Sequence, residues 1–381
     1  MTTNAMIAQV ESLPELIQTE FEGLDERSRT ILSHEEWLSV KRIVATGCGD
    51  SHMAAVATQW AFERLGGIPT DAATAMRAAR YALPEATDRV WRNPLTIGIS
   101  VSGSVSRTRE AVAAAKERGF LTIALTGNPE APLGQTAERI LNCRIPAFAH
   151  APGVRSYRIS MLALWLMAIR LGEVRGRLTG KEAQQHRDDL RATADRTAET
   201  IELSAGPARE LAEKMAERRH FTFVGDGPGY ATALFSAAKI LEAVGRDAWG
   251  QDTEEWAHLQ YFSRVEPDAP TFVIADGGRG ATRTAEILPP MHRIGREMVL
   301  IAPDSNGLAS QFQHHLPVAA GVSPLFSPMV NAVPGELFAA QLADVTGEKY
   351  FGGFSGVYDS QTTEGNNIVT SNVEAVADMV P

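Results

Sequence analysis

The sequence predicts an α/β protein of two tandem domains, each a parallel sheet flanked by helices. Two observations carry this. Apolar strand-like runs alternate with helical runs of ten or more residues, the pattern of βαβ units. The pattern also occurs twice, at a period near half of the 381-residue chain, as two copies of one domain would give and a short-period solenoid would not.

Composition narrows the class. Hydrophobic residues make up 44% and charged residues 22%, which is enough for sizeable cores. The formal net charge of −10 argues against a nucleic-acid partner, yet a small anion can still be held locally by backbone N–H groups and hydroxyls. Cys48 and Cys143 make no disulfide framework or zinc spacing, which fits a reducing cytoplasm. The histidines are scattered without a metal pattern, so neither a metal nor a cofactor is expected. The start, MTTNAMIAQVESLPEL, lacks the basic-then-apolar pattern of a secretory signal. The most apolar run, MLALWLMAI (161–169), is too short to span a bilayer, so a cytoplasmic protein with no membrane partner is expected.

In chain order, residues 1–34 read as an amphipathic helical arm and residues 35–175 as the first domain. There KRIVATGCGDSHMAAVA (41–57) reads as strand, glycine turn and helix. LTIGISVSGSVSRTREAV (95–112) is a strand, a serine-rich loop and a helix, and FLTIALTGNPEAPL (120–133) is a strand and a polar turn. Residues 176–207 are polar, helix-forming and end in Gly-Pro, and read as a connecting helix that the proline breaks. The second domain, 208–345, repeats the pattern. HFTFVGDGPGYATALFS (220–236) sets Gly225 and Gly227 against Gly47 and Gly49, and TFVIADGGRGATRTAEIL (271–288) sets Arg283-Thr284 against Arg107-Thr108. Residues 346–381 form a Gly/Ser/Asn-rich tail, either disordered or wrapped over a site.

Three segments could carry chemistry. In ATGCGDS (45–51) the glycines permit close backbone approach and the helix start offers N–H groups to an anion, but Asp50 or Ser51 fits a plain N-cap equally well. The spacing is neither a dinucleotide fingerprint nor a phosphate loop with its lysine. In ISVSGSVSRT (99–108), Ser100, Ser102, Ser104 and Ser106 sit where a strand meets a helix and suit a phosphate monoester, which needs donors more than charge. The bland reading is a capped helix with spare serines. The second copy has lost these serines, so only the first is expected to bind the anion. In ALFSAAKILEAVGRDAWGQDTEEWAHLQYF (233–262), Lys239 and Glu242 share a helix face and His258 stands among acids. A surface ion pair explains the first two as well as acid–base work does.

These residues resemble the sugar isomerase (SIS) family, in particular the isomerase half of glucosamine-6-phosphate synthases, aminosugar-phosphate deaminases/isomerases and fructosamine-6-phosphate deglycases. The resemblance covers about residues 35–345. The family's CGTS motif is matched by Cys48-Gly49-Asp50-Ser51, and its SxSGET phosphate loop by Ser100-Val101-Ser102-Gly103-Ser104-Val105. Val105 stands where a threonine is usual, and Ser104 or Ser106 could substitute for its hydroxyl. GVAST is similar to Gly153-Val154-Arg155-Ser156-Tyr157, which makes Val154 and Ser156 sugar contacts. The family's lysine and catalytic glutamate three residues apart correspond to Lys239 and Glu242, and its histidine sixteen residues further on corresponds to His258. VSPxxxP resembles the run 322–328. Phe235 replaces an acidic residue, and Thr370 replaces the lysine of the synthase tail.

The resemblance implies an enzyme acting on an amino- or amine-substituted hexose 6-phosphate. Glu242 would move a proton between C1 and C2, and His258 would assist ring opening. In the family that histidine comes from the neighbouring subunit, which implies a homodimer with shared active sites. A deaminase or deglycase is favoured over a simple isomerase, and no counterpart of the glutaminase half of the synthases is seen. Two alternatives stand beside this: a sugar-phosphate-binding regulator without chemistry, and an isomerase or lyase for a non-phosphorylated anionic sugar.

Overall fold

A computed structural model describes residues 4–83, 92–263, 269–354, 356–358 and 365–378. The strands among them form two five-stranded, all-parallel sheets. The first contains β1 (Ile43–Gly47), β2 (Thr70–Thr74), β3 (Arg92–Ile99), β4 (Phe120–Thr126) and β5 (Arg139–Asn142) in the order β2-β1-β3-β4-β5. The second contains β6 (His220–Gly225), β7 (Asp247–Asp252), β8 (Thr271–Ile274), β9 (Met298–Ala302) and β10 (His314–Pro317) in the order β10-β9-β8-β6-β7. The orders are the same when β1 to β5 are read as β6 to β10, so the repeat in the sequence is a repeat of topology.

Two compact units result. One comprises Thr19–Ala147, Ser156–Leu190 and Ser355–Pro381 and holds the first sheet; the other comprises Met1–Gln18, Phe148–Arg155 and Arg191–Phe354 and holds the second. The inner strands β1, β4 and β9 are buried at every position, as strands covered by helices on both faces must be, which is why they read as unbroken apolar runs. In the first unit Val44, Ala79, Ala111, Ala115 and Phe120 pack the helix Ser106–Glu117 against the sheet. In the second, Val224, Trp256, Val273, Ile287 and Met298 do the same for the helix Ala281–Arg293.

One expected boundary is corrected. The helix Gly180–Lys214 runs straight through Pro207. Proline's φ is compatible with a helix, but it costs one backbone hydrogen bond and a clash of its ring with the preceding turn, which the rest of the helix and its packing must offset. Tertiary bonds hold the same stretch in place: Ser204 Oγ donates to the Pro317 carbonyl at 2.5 Å, and Thr200 Oγ1 accepts from the Ala319 N–H at 2.9 Å. No helix among the described residues is long and apolar enough to cross a membrane.

Candidate functional site

In the first sheet β1 lies between β2 and β3, so the chain leaves β1 and β3 in opposite directions and a crevice opens beyond their carboxyl ends. The register pairs Gly47 with Ile99, which brings Cys48 level with Ser100. Thr108 Oγ1 approaches Cys48 Sγ at 3.9 Å and ties the two turns together. Gly49 adopts φ +52° as the N-cap of the helix Asp50–Arg64, a backbone state that L side chains rarely take. Asp50 and Ser51 form the first turn of that helix, and the Ser51 N–H donates to the Cys48 carbonyl at 3.1 Å.

The serine loop is a tight turn. The Gly103 N–H donates to the Ser100 carbonyl at 3.0 Å, with Gly103 at φ +69°. A Cβ there would stand 2.6 Å from Ala131 Cβ, so the position needs glycine for space as well as for backbone. The turn brings Ser100 Oγ and Ser102 Oγ to 3.5 Å of each other. Ser102 Oγ also accepts from the Ser104 N–H at 3.3 Å, while the Ser104 hydroxyl donates to the Ser102 carbonyl at 3.3 Å. Val101 contributes backbone: its carbonyl accepts from the Gly127 N–H at 3.0 Å. The helix Ser106–Glu117 starts with Val105 as N-cap and no capping side chain.

Ser106 has a different task. Its hydroxyl donates to the Val369 carbonyl at 2.8 Å and its N–H to the Ile368 carbonyl at 2.9 Å. The tail residues 365–378 therefore bind the helix start, in line with the wrapping alternative read from the sequence. Val154 and Ser156 lie in the first turn of the helix Val154–Val174. Val154 is fully buried in one unit, and Ser156, in the other, accepts the Ser160 hydroxyl on its carbonyl at 2.9 Å.

In the second unit Lys239 and Glu242 sit on the helix Pro228–Val244 and form an ion pair. The bland reading of a surface pair fails here. Lys239 is fully buried, with its ammonium 4.7 Å from the Phe235 ring centroid, and Glu242 is 25% exposed. A buried ammonium held by a largely buried carboxylate is costly to assemble and is not a solvated surface pair. His258 ends the helix Thr253–His258, with its Nε2 3.1 Å from Glu254 Oε1 and its side chain 66% exposed.

Sequence reasoning missed several polar residues. Arg107 and Thr108 were seen only as a repeat of Arg283-Thr284. That repeat has a structural meaning, because Thr284 Oγ1 donates to Asp226 Oδ2 at 3.4 Å just as Thr108 reaches Cys48. Aligned copies thus place Asp226 at the position of Cys48 and Asp276 at that of Ser100. Burial pushes both carboxyls up; Thr253 and Thr284 hydrogen bonds to Asp226, and Gly278 and Ser327 hydrogen bonds to Asp276, oppose this. In the second copy two acids stand where the first has Cys48 and Ser100, a firmer reason for asymmetry than lost serines. Among the described residues no group of three or more His, Cys, Asp or Glu side chains is placed to hold a metal.

Cys48 offers a direct probe of the first turn. Its residue surface is exposed, yet burial of the sulfur among protein atoms raises the thiol above its ordinary value, only partly offset by Thr108 and Arg107. The nucleophile is the thiolate, so a raised pKa means little of it at neutral pH. Alkylation by iodoacetamide at pH 7 is expected to be slower at Cys48 than in a free thiol and to keep climbing with pH after that of a free thiol has levelled off. Mass-spectrometric labelling rates check this. Cys143, buried and pushed up to about 12, should label only on unfolding.

Comparison with known proteins follows the geometry. Residues 38–170 match the model of the SIS domain, the family that the motifs resemble. The chain is 27% identical over 313 residues to a glutamine–fructose-6-phosphate aminotransferase (isomerizing) of Gloeobacter violaceus, covering 82% of this chain and 50% of that protein. It is 26% identical over 320 residues to the protein of that name in Mycobacterium tuberculosis, covering 83% and 50%. The chain thus spans about half the length of the curated relatives it matches. Among solved structures, the C-terminal domain of glucosamine-fructose-6-phosphate aminotransferase from Francisella tularensis superposes with a TM-score of 0.80 at 17% identity, covering 91% of this chain and 98% of that one. Glucosamine-6-phosphate deaminase from Thermotoga maritima gives 0.65 at 19% identity (89% and 96%), and tagatose-6-phosphate ketose/aldose isomerase from Escherichia coli 0.69 at 17% (91% and 94%). These likenesses establish the fold: two tandem parallel α/β domains.

Proposed function

We propose that the protein is an enzyme acting on a sugar phosphate, an amino- or amine-substituted hexose 6-phosphate. The observation that carries the proposal is the turn 100–103, which sets two serine hydroxyls 3.5 Å apart at the carboxyl end of β3, at the switch point of the first sheet. Hydroxyl and backbone donors suit a phosphate and hold it without demanding a second charge.

In this reading Ser100, Ser102 and the backbone around Cys48 to Ser51 anchor the phosphate and fix the sugar's position, which lowers the barrier by orientation. Glu242 takes the proton from one of C1 and C2 and returns it to the other. Lys239 positions that carboxylate from its buried side. His258, 66% exposed and held by Glu254, has the accessibility expected of a group that serves ring opening in a second copy of the chain, so we propose a homodimer with shared sites. The reaction is isomerisation followed by loss of ammonia or an amine, in preference to isomerisation alone, and the setting is the cytoplasm.

The test is a panel of hexose 6-phosphates, aminosugar 6-phosphates and fructosamine 6-phosphates, scored for release of ammonia, amine or ketose. Turnover of an amine-bearing member is expected. No turnover on any member, with binding retained, would move the protein to the sugar-phosphate-binding regulators.

A further inference from the structure

A cavity of about 380 Å³ adjoins the serine loop in the first unit. Cys48 and Val105 line it from the turns after β1 and β3, Arg80 and Arg107 from the side, and Ser371 and Glu374 from the tail. The phosphosugar reading assigns these arginines no task.

Their arrangement is specific. Arg80 Nε donates to Glu110 Oε1 at 2.7 Å, and Arg107 binds the other oxygen of the same carboxylate, which is fully buried. Two guanidinium groups on one buried carboxylate leave one positive charge in excess. The tail answers it: Glu374 Oε1 lies 3.1 Å from Arg80 Nη2, and Ser371 Oγ lies 3.4 Å from Arg107 Nη2. The two contacts differ in kind. The Glu110 contacts fix the guanidinium forks from below, so they are pre-organised for whatever lies above. The Arg80–Glu374 pair joins side chains 28% and 41% exposed, and such a pair contributes only about 0–1 kcal/mol, little enough to be exchanged.

We infer that this cavity binds a carboxylate, and that the sugar phosphate held by the serine loop carries a carboxylate in addition to its phosphate. Glu374 stands in that group's place until ligand displaces it. A single excess charge matches a carboxylate better than a phosphate dianion, and the present occupant is itself a carboxylate. Val105, the residue closing the serine loop, has no hydroxyl to offer at the cavity wall, so polar recognition there falls to the arginines. The inference rests on the phosphosugar reading and names its substrate more narrowly.

The carboxylate can sit on the sugar or on its amine substituent, and calorimetric titration of the full chain separates the two. One arm compares 6-phosphogluconate with glucitol 6-phosphate. The other compares the glycine conjugate of fructose 6-phosphate with its ethylamine conjugate. In at least one arm the carboxylate ligand is expected to bind tenfold or more tighter than its neutral counterpart, and that arm locates the group. Glu374→Gln removes the internal competitor and should raise this affinity ratio, whereas Arg80→Gln should bring it close to one. Thermal melts confirm that both variants fold, and Glu374→Gln keeps the test valid should Arg80→Gln not. Ratios near one in both arms, or a ratio that neither variant moves, would overturn the inference while leaving the phosphosugar reading intact. Binding of none of the four ligands would overturn both.

Discussion

Glu242→Gln is expected to lower turnover by about 10²–10⁴-fold on whichever substrate the panel identifies, the range that a positioned acid–base group supplies. Glutamine has nearly the same shape and still accepts a hydrogen bond, but it cannot take a proton from carbon. KM should change little, because in the proposed reading the serine loop carries the phosphate. The complication is Lys239. It is fully buried, and with Glu242 neutralised its ammonium loses the charge of this carboxylate. Breaking such a pair costs about 3 kcal/mol, the low end of the usual range because Glu242 is 25% exposed and water can reach the gap. A loss of activity in the single variant could therefore be a loss of fold. The double variant Glu242→Gln, Lys239→Met separates the two effects. It removes both charges and leaves an unbranched apolar chain against Phe235, so the melting temperature should recover while turnover stays low. Recovery of turnover with the melting temperature would show that the pair is structural and that the proton is moved elsewhere.

The parts of the fold that were legible in the sequence share a physical cause. Parallel strands covered on both faces must be apolar throughout, so β1, β4 and β9 announced themselves as runs. A strand-to-helix turn at a sheet's carboxyl edge needs residues tolerant of positive φ, so Gly49 and Gly227 recurred in register with φ of +52° and +50°. The serine loop was visible for the same reason: its bonds run between residues two or three apart. What was not legible depends on distance along the chain. Ser106 meets Val369 across 263 positions, and no local pattern marks one serine as a tail anchor and its neighbour as a free donor. The Arg80–Glu110–Arg107 cluster joins a turn to a helix thirty positions on and is likewise silent in the sequence. Pro207 misled because propensity is a weak prior that packing overrides. The ion pair of Lys239 and Glu242 was visible as spacing, but the burial that separates a built site from a surface pair was not.

Those differences set Ser106 apart from Ser100 and Ser102, and the two should respond differently to mutation. Ser100→Ala with Ser102→Ala removes two hydroxyls that stand 3.5 Å apart in the turn. A hydrogen bond to a charged group contributes about 1.5–3 kcal/mol, so losing two should weaken sugar-phosphate binding by roughly 10²–10⁴-fold. The fold should survive, because Ser102 is exposed and the turn is held by the backbone bond from Gly103 to Ser100. Ser106→Ala should act on the tail instead. It deletes the 2.8 Å bond to Val369 but leaves the backbone bond from the Ser106 N–H to Ile368. Phosphate affinity should then change by less than tenfold, while protease sensitivity of residues 365–378 rises. Calorimetric titration with fructose 6-phosphate and limited proteolysis read the two effects separately. If Ser106→Ala proved the more damaging to phosphate binding, the anion would have to displace the tail from the helix start, and the cradle would lie one turn further along than the pair Ser100 and Ser102.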